Sequence, residues 1–475
     1  MKKQQHIAIL GAGPGGYVAA IRAAQLGARV TVIERDALGG VCLNWGCIPS
    51  KALLAVVELG DKVKKSAEAG LVIEGTVGYD PVRMVARKNK VVEGLVKGIA
   101  TLFKSWNIEQ LGGTGELLDA KTLRVVKRDG TETIVQADAI VIATGSSWPN
   151  LPLFPIDGKQ IITSKEALDL QVIPASLLIV GGGVEGCEFA SLYSGLGTKV
   201  TLVEMLPTIL PLEDEEIASV MARELKKRGV ELCTGTTVEK LERQSNLARA
   251  TLSNGVIIEA AQVLVSVGRG FNSKGIGLEK VGVLVGSRGE ILVNDCLETN
   301  VRGIYAIGDV TGKAMLAHVA SAQGKVAVQN VLGHPSKVSY NLVPAGIFTL
   351  PEIGRVGLTE RQAREKVEAV GRNPHVDVKI GRFRYAALGK AQGTGETTGL
   401  FKIIADGMTN TLLGVHIIGA HAADLVHEAA MAMHTGASPA QVAEMIHAHP
   451  TLAEGLMEAA EDVEGMAIHL ARKKA

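Results

Sequence analysis

The chain has 475 residues, and its 50 Lys and Arg balance 49 Asp and Glu to a formal charge of +1, which excludes the electrostatic footprint of a nucleic-acid or acidic-membrane binder. That length is worth roughly three or four domains. Apolar residues at 47%, aromatics at 3% and 56 glycines predict an α/β protein of Val, Ile, Leu and Ala with many tight turns, and 5 cysteines are too few for a disulfide-stapled scaffold.

The opening "MKKQQHIAILGAGPGGYVAA" has the lysines and apolar run of a signal peptide, but Gly11, Gly13, Gly15 and Gly16 interrupt the apolar segment. No stretch is expected to approach the length of a membrane span, so a cytoplasmic chain is expected. His6 to Leu10 reads as a buried strand, about Tyr17 to Leu26 as a helix, and "RVTVIE" as a second strand ending in Glu34. Between them lies G-x-G-x-x-G in its required context. Gly11 makes the turn, Gly13 lets backbone approach a pyrophosphate, Gly16 lets helix and strand pack closely, and Glu34 can accept from ribose hydroxyls.

Next comes "GGVCLNWGCIPSK", with Cys42 and Cys47 five positions apart. Most cysteines are small buried apolar residues. A zinc site needs a second ligand pair, which the chain lacks, so no metal is expected. A redox pair is the remaining reading. Residues five apart in a regular helix are separated by roughly 7.5 Å along the axis, beyond the usual disulfide span, so bonding between them requires a distorted helix. Gly40 and Gly46 supply that freedom, and Pro49 suits a first turn, so the regular helix is expected to begin near Ile48 and carry Lys51 one turn along.

"AIVIATGSS" reads as an apolar strand closing on Ala143, Thr144 and Gly145, small residues against which a ligand can sit. The first fingerprint then recurs 170 residues on: "LLIVGGGVEGCEFASLYSGLGTKVTLVE" repeats strand, Gly181, Gly183, Gly186, helix, strand and Glu204. In both copies the acid lies 23 residues after the first glycine. Two dinucleotide-binding domains follow, one dinucleotide holding electrons and the other delivering or removing them. Glu204 would repel a 2′-phosphate and "EMLP" offers no arginine to welcome one, which favours NAD over NADP. "VRGIYAIGDV" is a further strand, closing on Gly308 and Asp309.

From about Pro344 the character changes to strands ("GLFKIIAD", "LLGVHIIGAH") and helices without a third glycine fingerprint, which suggests packing, partner binding or completion of the active site. "HAHPTLAE" closes this region. His447 reads as a polar residue with a satisfied hydrogen bond. His449 has a possible orienting carboxylate in Glu454, the arrangement acid–base catalysis uses.

In this order "GAGPGG", "GGVCLNWGCIPSK", "ATGS", "GGGVEG", "YAIGD" and "HAHPTLAE" span nearly the whole chain, which resembles the flavoprotein disulfide reductases. The resemblance implies two Rossmann-like domains, for FAD (1–149) and NAD (150–271), a central segment completing the FAD site (272–343) and a C-terminal α+β dimerisation domain (344–475). It implies FAD on the first fingerprint, with Glu34 on its ribose, Asp309 near the ribityl and pyrophosphate region, Lys51 beside the flavin ring and Glu188 partnering Lys51. Gly308, Ala317 and His318 join the expected cofactor contacts, as do Gly268 and Arg269 of "VSVGR". Cys47 would face the flavin and Cys42 the substrate, while His449 and Glu454 would come from the other subunit of a homodimer.

The implied activity is oxidation of protein-bound dihydrolipoamide to lipoamide, electrons passing through a Cys42–Cys47 disulfide and FAD to NAD. Lipoyl domains of 2-oxoacid dehydrogenase or glycine-cleavage complexes would be the partners. Alternatives are an NAD(P)H-dependent reductase of another small disulfide, or a flavin redox sensor without turnover. Glutathione-type relatives need basic residues after the second fingerprint. Mercuric and large thioredoxin reductases carry redox cysteines at the carboxyl end, where "LARKKA" has none, and soluble transhydrogenases lack the Cys42/Cys47 pair. One departure is Gly270-Phe271-Asn272, where the family usually continues with proline-asparagine. Cys187, Cys233 and Cys296 match no redox position and read as reduced structural residues.

Overall fold

His6–Leu10 (β1), Pro14–Gln25 (α1) and Arg29–Glu34 (β2) form the expected strand–helix–strand unit in a computed structural model that describes residues 4–169 and 171–471. The opening lysines Lys2 and Lys3 and the end of "LARKKA" lie outside the described residues. The helix begins at Pro14 rather than near Tyr17, because proline's fixed φ and missing N–H suit the first helical turn. Both strands are nearly continuous apolar runs, as a parallel sheet covered on both faces requires. The sheet has seven strands in the order Ile304–Ala306, Ala139–Ile142, β1, β2, Glu109–Leu117, Thr122–Lys127, Glu132–Gln136, parallel until the last two, which pair antiparallel. The first strand in that order comes from segment 272–343, so "AIVIATGSS", "VRGIYAIGDV" and the first glycine loop all open on the carboxyl edge of one sheet, where α/β sheets bind ligands.

A second, five-stranded parallel sheet (Glu231–Thr234, Lys199–Glu204, Ser176–Val180, Gln262–Val265, Ile161–Ile162) carries the repeated fingerprint, with the helix Val184–Gly195 after its glycines. The tail forms a five-stranded antiparallel sheet (Ala345–Ile347, Glu352–Gly357, Leu412–Gly419, Leu400–Asp406, Val378–Arg384), packed by helices Ala422–Thr435 and Glu454–Asp462.

The cysteine pair lies on two short-coupled helices, Gly40–Trp45 (α2) and Cys47–Lys64 (α3). Gly46, at φ −143° and ψ −113°, breaks the helix between the cysteines, so the second helix starts at Cys47, beside the expected Ile48. Along α3, Ser50, Leu53, Leu54 and Val57 are buried at helical three- and four-residue spacing, and this stripe packs on the Val184–Gly195 helix of the second sheet. The approach is close: a Cβ on Gly195 would lie 2.2 Å from Val57 Cγ1. The redox helix therefore clamps the two nucleotide-type units together.

The expectation that no stretch approaches a membrane span needs correction. Gly40–Lys64 is 25 residues long and contains an 18-residue window with a mean hydropathy of 1.4, enough to span by length and composition. The two helices follow one another directly on either side of the break at Gly46, and only together do they reach that length. The buried part of the same stretch is the stripe packed on the second unit, and a buried core helix meets the same criterion of length and apolarity.

A buried ion cluster docks the tail on the second unit. Lys402, only 2% exposed, donates through Nζ to both oxygens of Asp214 (2.8 and 3.0 Å), while Glu360 lies 2.8 Å away. Asp214 also caps the helix Glu215–Lys227. Burial pushes the Asp214 carboxyl up, but Lys402 outweighs it and holds it below its ordinary value. Lys402→Met strands the buried Asp214 carboxylate, while Glu360 keeps Arg364, and it is expected to cost about 3 kcal/mol or more, seen as a lower urea midpoint at neutral pH. A depressed carboxylate stabilises above its unfolded pKa and loses that contribution as pH falls towards its folded one, so wild type and variant should converge in acid.

Candidate active site

The two glycine loops are built alike. Gly11 (φ +106°) and Gly181 (φ +107°) occupy left-handed backbone, and a Cβ on either would strike the next strand's end, at 2.3 Å from Ala143 O and 2.2 Å from Ser266 O. Gly16 and Gly186 let the helix close on the loop, since their Cβ atoms would stand 1.9 Å from Gly11 O and Gly181 O. Gly13 and Gly183 differ. They have ordinary negative φ, and a Cβ would meet nothing nearer than 3.9 Å at Gly13 and nothing within 4 Å at Gly183. Packing does not demand glycine there, so the bare backbone leaves room for an approaching group at a helix N-terminus, which fits a pyrophosphate.

Each acid is fastened to its loop. Glu34 accepts from Ala12 N (2.7 Å) and Asp36 N (2.8 Å), and Glu204 from Gly182 N (2.6 Å) and Leu206 N (2.8 Å). A carboxylate has about four acceptor positions, so both keep capacity for sugar hydroxyls.

One cleft of about 1270 Å³ gathers most of the expected residues. Gly11, Gly13 and Glu34 line it from the first loop, Cys42, Cys47 and Lys51 from the redox helices, and Glu188 from the second unit. Strand ends contribute Ala143, Thr144, Gly145, Gly308 and Asp309, and the start of the helix Ala317–Val331 contributes Ala317 and His318, whose Nε2–H donates to Pro344 O at 2.8 Å. Gly16, Gly181, Gly183, Gly186, Glu204 and Gly268 lie outside its lining.

Cys42 and Cys47 are free thiols, brought side by side by the break at Gly46. The hydrogen bond from Cys42 holds the Cys47 thiol down to about 7, against burial and with help from the Lys51 ammonium. The same hydrogen bond and burial push Cys42 up. Cys47 is thus the sulfur poised as thiolate at neutral pH. Lys51 Nζ is held by both oxygens of buried Glu188 (2.9 and 2.8 Å) and sits 4.5 Å from the centre of the Phe348 ring, while Glu188 also accepts from Phe348 N at 2.9 Å.

Arg269 does border the cleft, tied to the "ATGSS" turn: Nε donates to Ser146 Oγ (2.7 Å) and Nη2 to Ser146 O (2.8 Å), and Ser146 donates on to Asp309. The departure explains its placement, because Gly270–Phe271 pairs as a short strand with Ser146–Ser147, and Asn272 Nδ2 donates to Thr144 O at 2.9 Å. Ser146, Asn272 and Phe348 were missed by motif reasoning. Ser146 lay inside a quoted motif, whereas Phe348 has no local signal.

His449 Nδ1–H donates to Glu454 Oε1 at 2.9 Å, and Glu454 Oε2 accepts from Thr451 N at 2.8 Å. Burial pushes Glu454 up, but Thr451 and His449 outweigh it and hold the carboxyl low, so Nε2 of His449 is left as the basic nitrogen. This side chain is 76% exposed, and neither residue lines the chain's own cleft. His447 is satisfied between Met445 O and Glu428. Cys187, Cys233 and Cys296 are free thiols, and Cys187 is fully buried.

A helix-borne dithiol between two nucleotide-type loops defines a pyridine-nucleotide-linked disulfide oxidoreductase. Residues 5–324 match the family described as pyridine nucleotide-disulphide oxidoreductase, and 343–460 match its dimerisation domain. The chain belongs to that family. It is 41% identical over 484 residues to the dihydrolipoyl dehydrogenase of Bacillus subtilis (99% of this chain, 100% of that one), and 40% identical over 461 residues to that of Chlamydia pneumoniae (97% of each). Among solved structures, LpdA from Mycobacterium tuberculosis is similar with a TM-score of 0.89 at 29% identity, covering 97% of this chain and 99% of that one. The HOCl-induced flavoprotein disulfide reductase RclA from Escherichia coli gives a TM-score of 0.84 at 28% identity, covering 95% and 98%.

Proposed function

We propose that the chain is a homodimeric, FAD-bearing dihydrolipoyl dehydrogenase of the cytoplasm that oxidises protein-bound dihydrolipoamide on lipoyl domains and reduces NAD. The observation that carries this reading is a single cleft shared by the first glycine loop, the Cys42/Cys47 pair and the first turn of the second fingerprint's helix. Near-complete alignment with dihydrolipoyl dehydrogenases supports the substrate. The domain limits that go with it are 1–149, 150–271, 272–343 and 344–475.

FAD would lie along Gly11, Gly13, Glu34, Asp309 and Ala317, with Lys51 at its ring, and NAD along Gly181, Gly183, Glu204 and Arg269. Bound there, FAD supplies two-electron transfer between a dithiol and a pyridine nucleotide. The protein's own part is thiol chemistry. His449 Nε2 of one subunit takes a proton from a dihydrolipoamide thiol, Glu454 holding the ring by its Nδ1–H. The resulting thiolate attacks Cys42 Sγ of the oxidised pair, and Cys47 leaves as a thiolate whose charge the Lys51 ammonium favours. The second substrate sulfur displaces Cys42, closing the lipoyl ring and leaving both cysteines reduced.

The test is NADH formation at 340 nm by purified, flavin-loaded protein given NAD and dihydrolipoamide, alongside a panel of other dithiols and, in reverse with NADH, small disulfides. Lipoyl compounds should exceed the rest by about a hundredfold or more in kcat/KM, since the site is asked to discriminate by differential binding. Equal turnover of the whole panel would remove the lipoyl assignment.

A further inference from the structure

Glu185 lies in the first turn of the helix Val184–Gly195, and nothing described so far uses its carboxyl. It lines the same cleft as Cys47, Lys51 and Glu188. Its Oε1 is enclosed yet has no hydrogen-bond partner, although nearly all buried polar atoms in proteins are paired. Two cations act on it from nearby, Lys51 and Arg269, but each is engaged elsewhere: Lys51 by both oxygens of Glu188, and Arg269 by Ser146. Ser164 hydrogen-bonds the carboxyl, which leaves Oε1 as the unpartnered oxygen, and Glu188 is the nearby like charge. Burial outweighs these neighbours and raises its pKa, so the carboxyl is under-satisfied whether or not it holds a proton. Such a group is suited to a ligand that brings a hydrogen-bonding partner into the cleft.

A dinucleotide with its pyrophosphate at the second glycine loop has one end at Glu204 and must send the other past the helix's first turn into this cleft. That end is the pyridine ring, whose one neutral hydrogen-bonding substituent is a carboxamide with two N–H donors. We propose that Glu185 is a positioning residue that accepts a hydrogen bond from the carboxamide N–H of NAD and so sets the face and depth at which the pyridine ring lies. The inference rests on the reading of the second loop as the NAD site. The soft terminal torsion of glutamate lets either oxygen serve.

The test is calorimetric titration of the flavin-loaded protein with NAD, with its acetylpyridine analogue, in which a methyl ketone replaces the amide, and with ADP-ribose, which lacks the ring. Wild type should bind NAD about 5- to 20-fold more tightly than the analogue, the range of one buried hydrogen bond. Glu185→Leu should lose that preference while ADP-ribose affinity stays the same, and Glu185→Gln, which keeps an acceptor, should retain most of it. Equal wild-type affinity for NAD and the analogue overturns the proposal without any variant being needed, as does an equal loss for both in Glu185→Leu. If ADP-ribose fails to bind wild type, the NAD-site reading itself has failed, and the proposal falls with it.

Discussion

Cys47→Ser is expected to lower kcat with dihydrolipoamide by at least about a thousandfold, as loss of a covalent participant does, while the protein remains folded. Serine preserves the shape but cannot leave as a low-pKa thiolate, and the thiol is the group whose ionisation the site controls. In the reduced wild-type protein, thiolate absorbance at 240 nm should rise with a midpoint at about 7, set first by the hydrogen bond from Cys42 and then by Lys51. Lys51→Met removes the cation and leaves Glu188, whose charge also disfavours the thiolate. Both changes act in the same direction, so the midpoint must move up and the thiolate fraction at neutral pH must fall. A midpoint that stays put in Lys51→Met would show that the pair alone sets the ionisation and that Lys51 serves some other purpose.

His449→Ala is expected to lower kcat by about a hundred- to ten-thousandfold, the usual worth of a general base. Glu454→Gln should cost less, because it loosens the ring without removing Nε2. The subunit question has a sharper answer. His449 is exposed and stands outside the cleft of its own chain, although the cleft holds both cysteines. Heterodimers should therefore be prepared from one Cys47→Ser chain and one His449→Ala chain, each inactive as a homodimer. If the base comes from the partner, one of the two symmetric sites is intact and the heterodimer shows about half of wild-type activity. If the base acts within its own chain, neither site is intact and the heterodimer is dead.

Both glycine loops were legible from spacing, because their causes are local: the left-handed turn at Gly11 and Gly181, and the close approach at Gly16 and Gly186, are steric demands that short segments make on themselves. The broken redox helix was legible for the same reason, its start expected near Ile48 and found at Cys47. The membrane-span expectation failed because Gly40–Lys64, although broken at Gly46, is long and apolar enough by length and composition. The likeness to disulfide reductases supplied the Lys51–Glu188 pairing, across 137 positions that no periodicity connects.

The sequence by itself thus determined the two nucleotide-type units, the acids that close their loops, the cysteine pair on a distorted helix and a different kind of tail, since each depends on residues within about one supersecondary unit of one another. Only the tertiary structure decided that strand Ile304–Ala306 joins the first sheet, that Arg269 reaches Asp309 through Ser146, that Glu185 Oε1 is enclosed without a partner, and that His449 stands outside the cleft that holds its own cysteines. The first three arrangements depend on which distant surfaces bury one another. That choice is made by the packing of whole units, such as the Val57–Gly195 contact between helices, and no short window of sequence contains both sides of it.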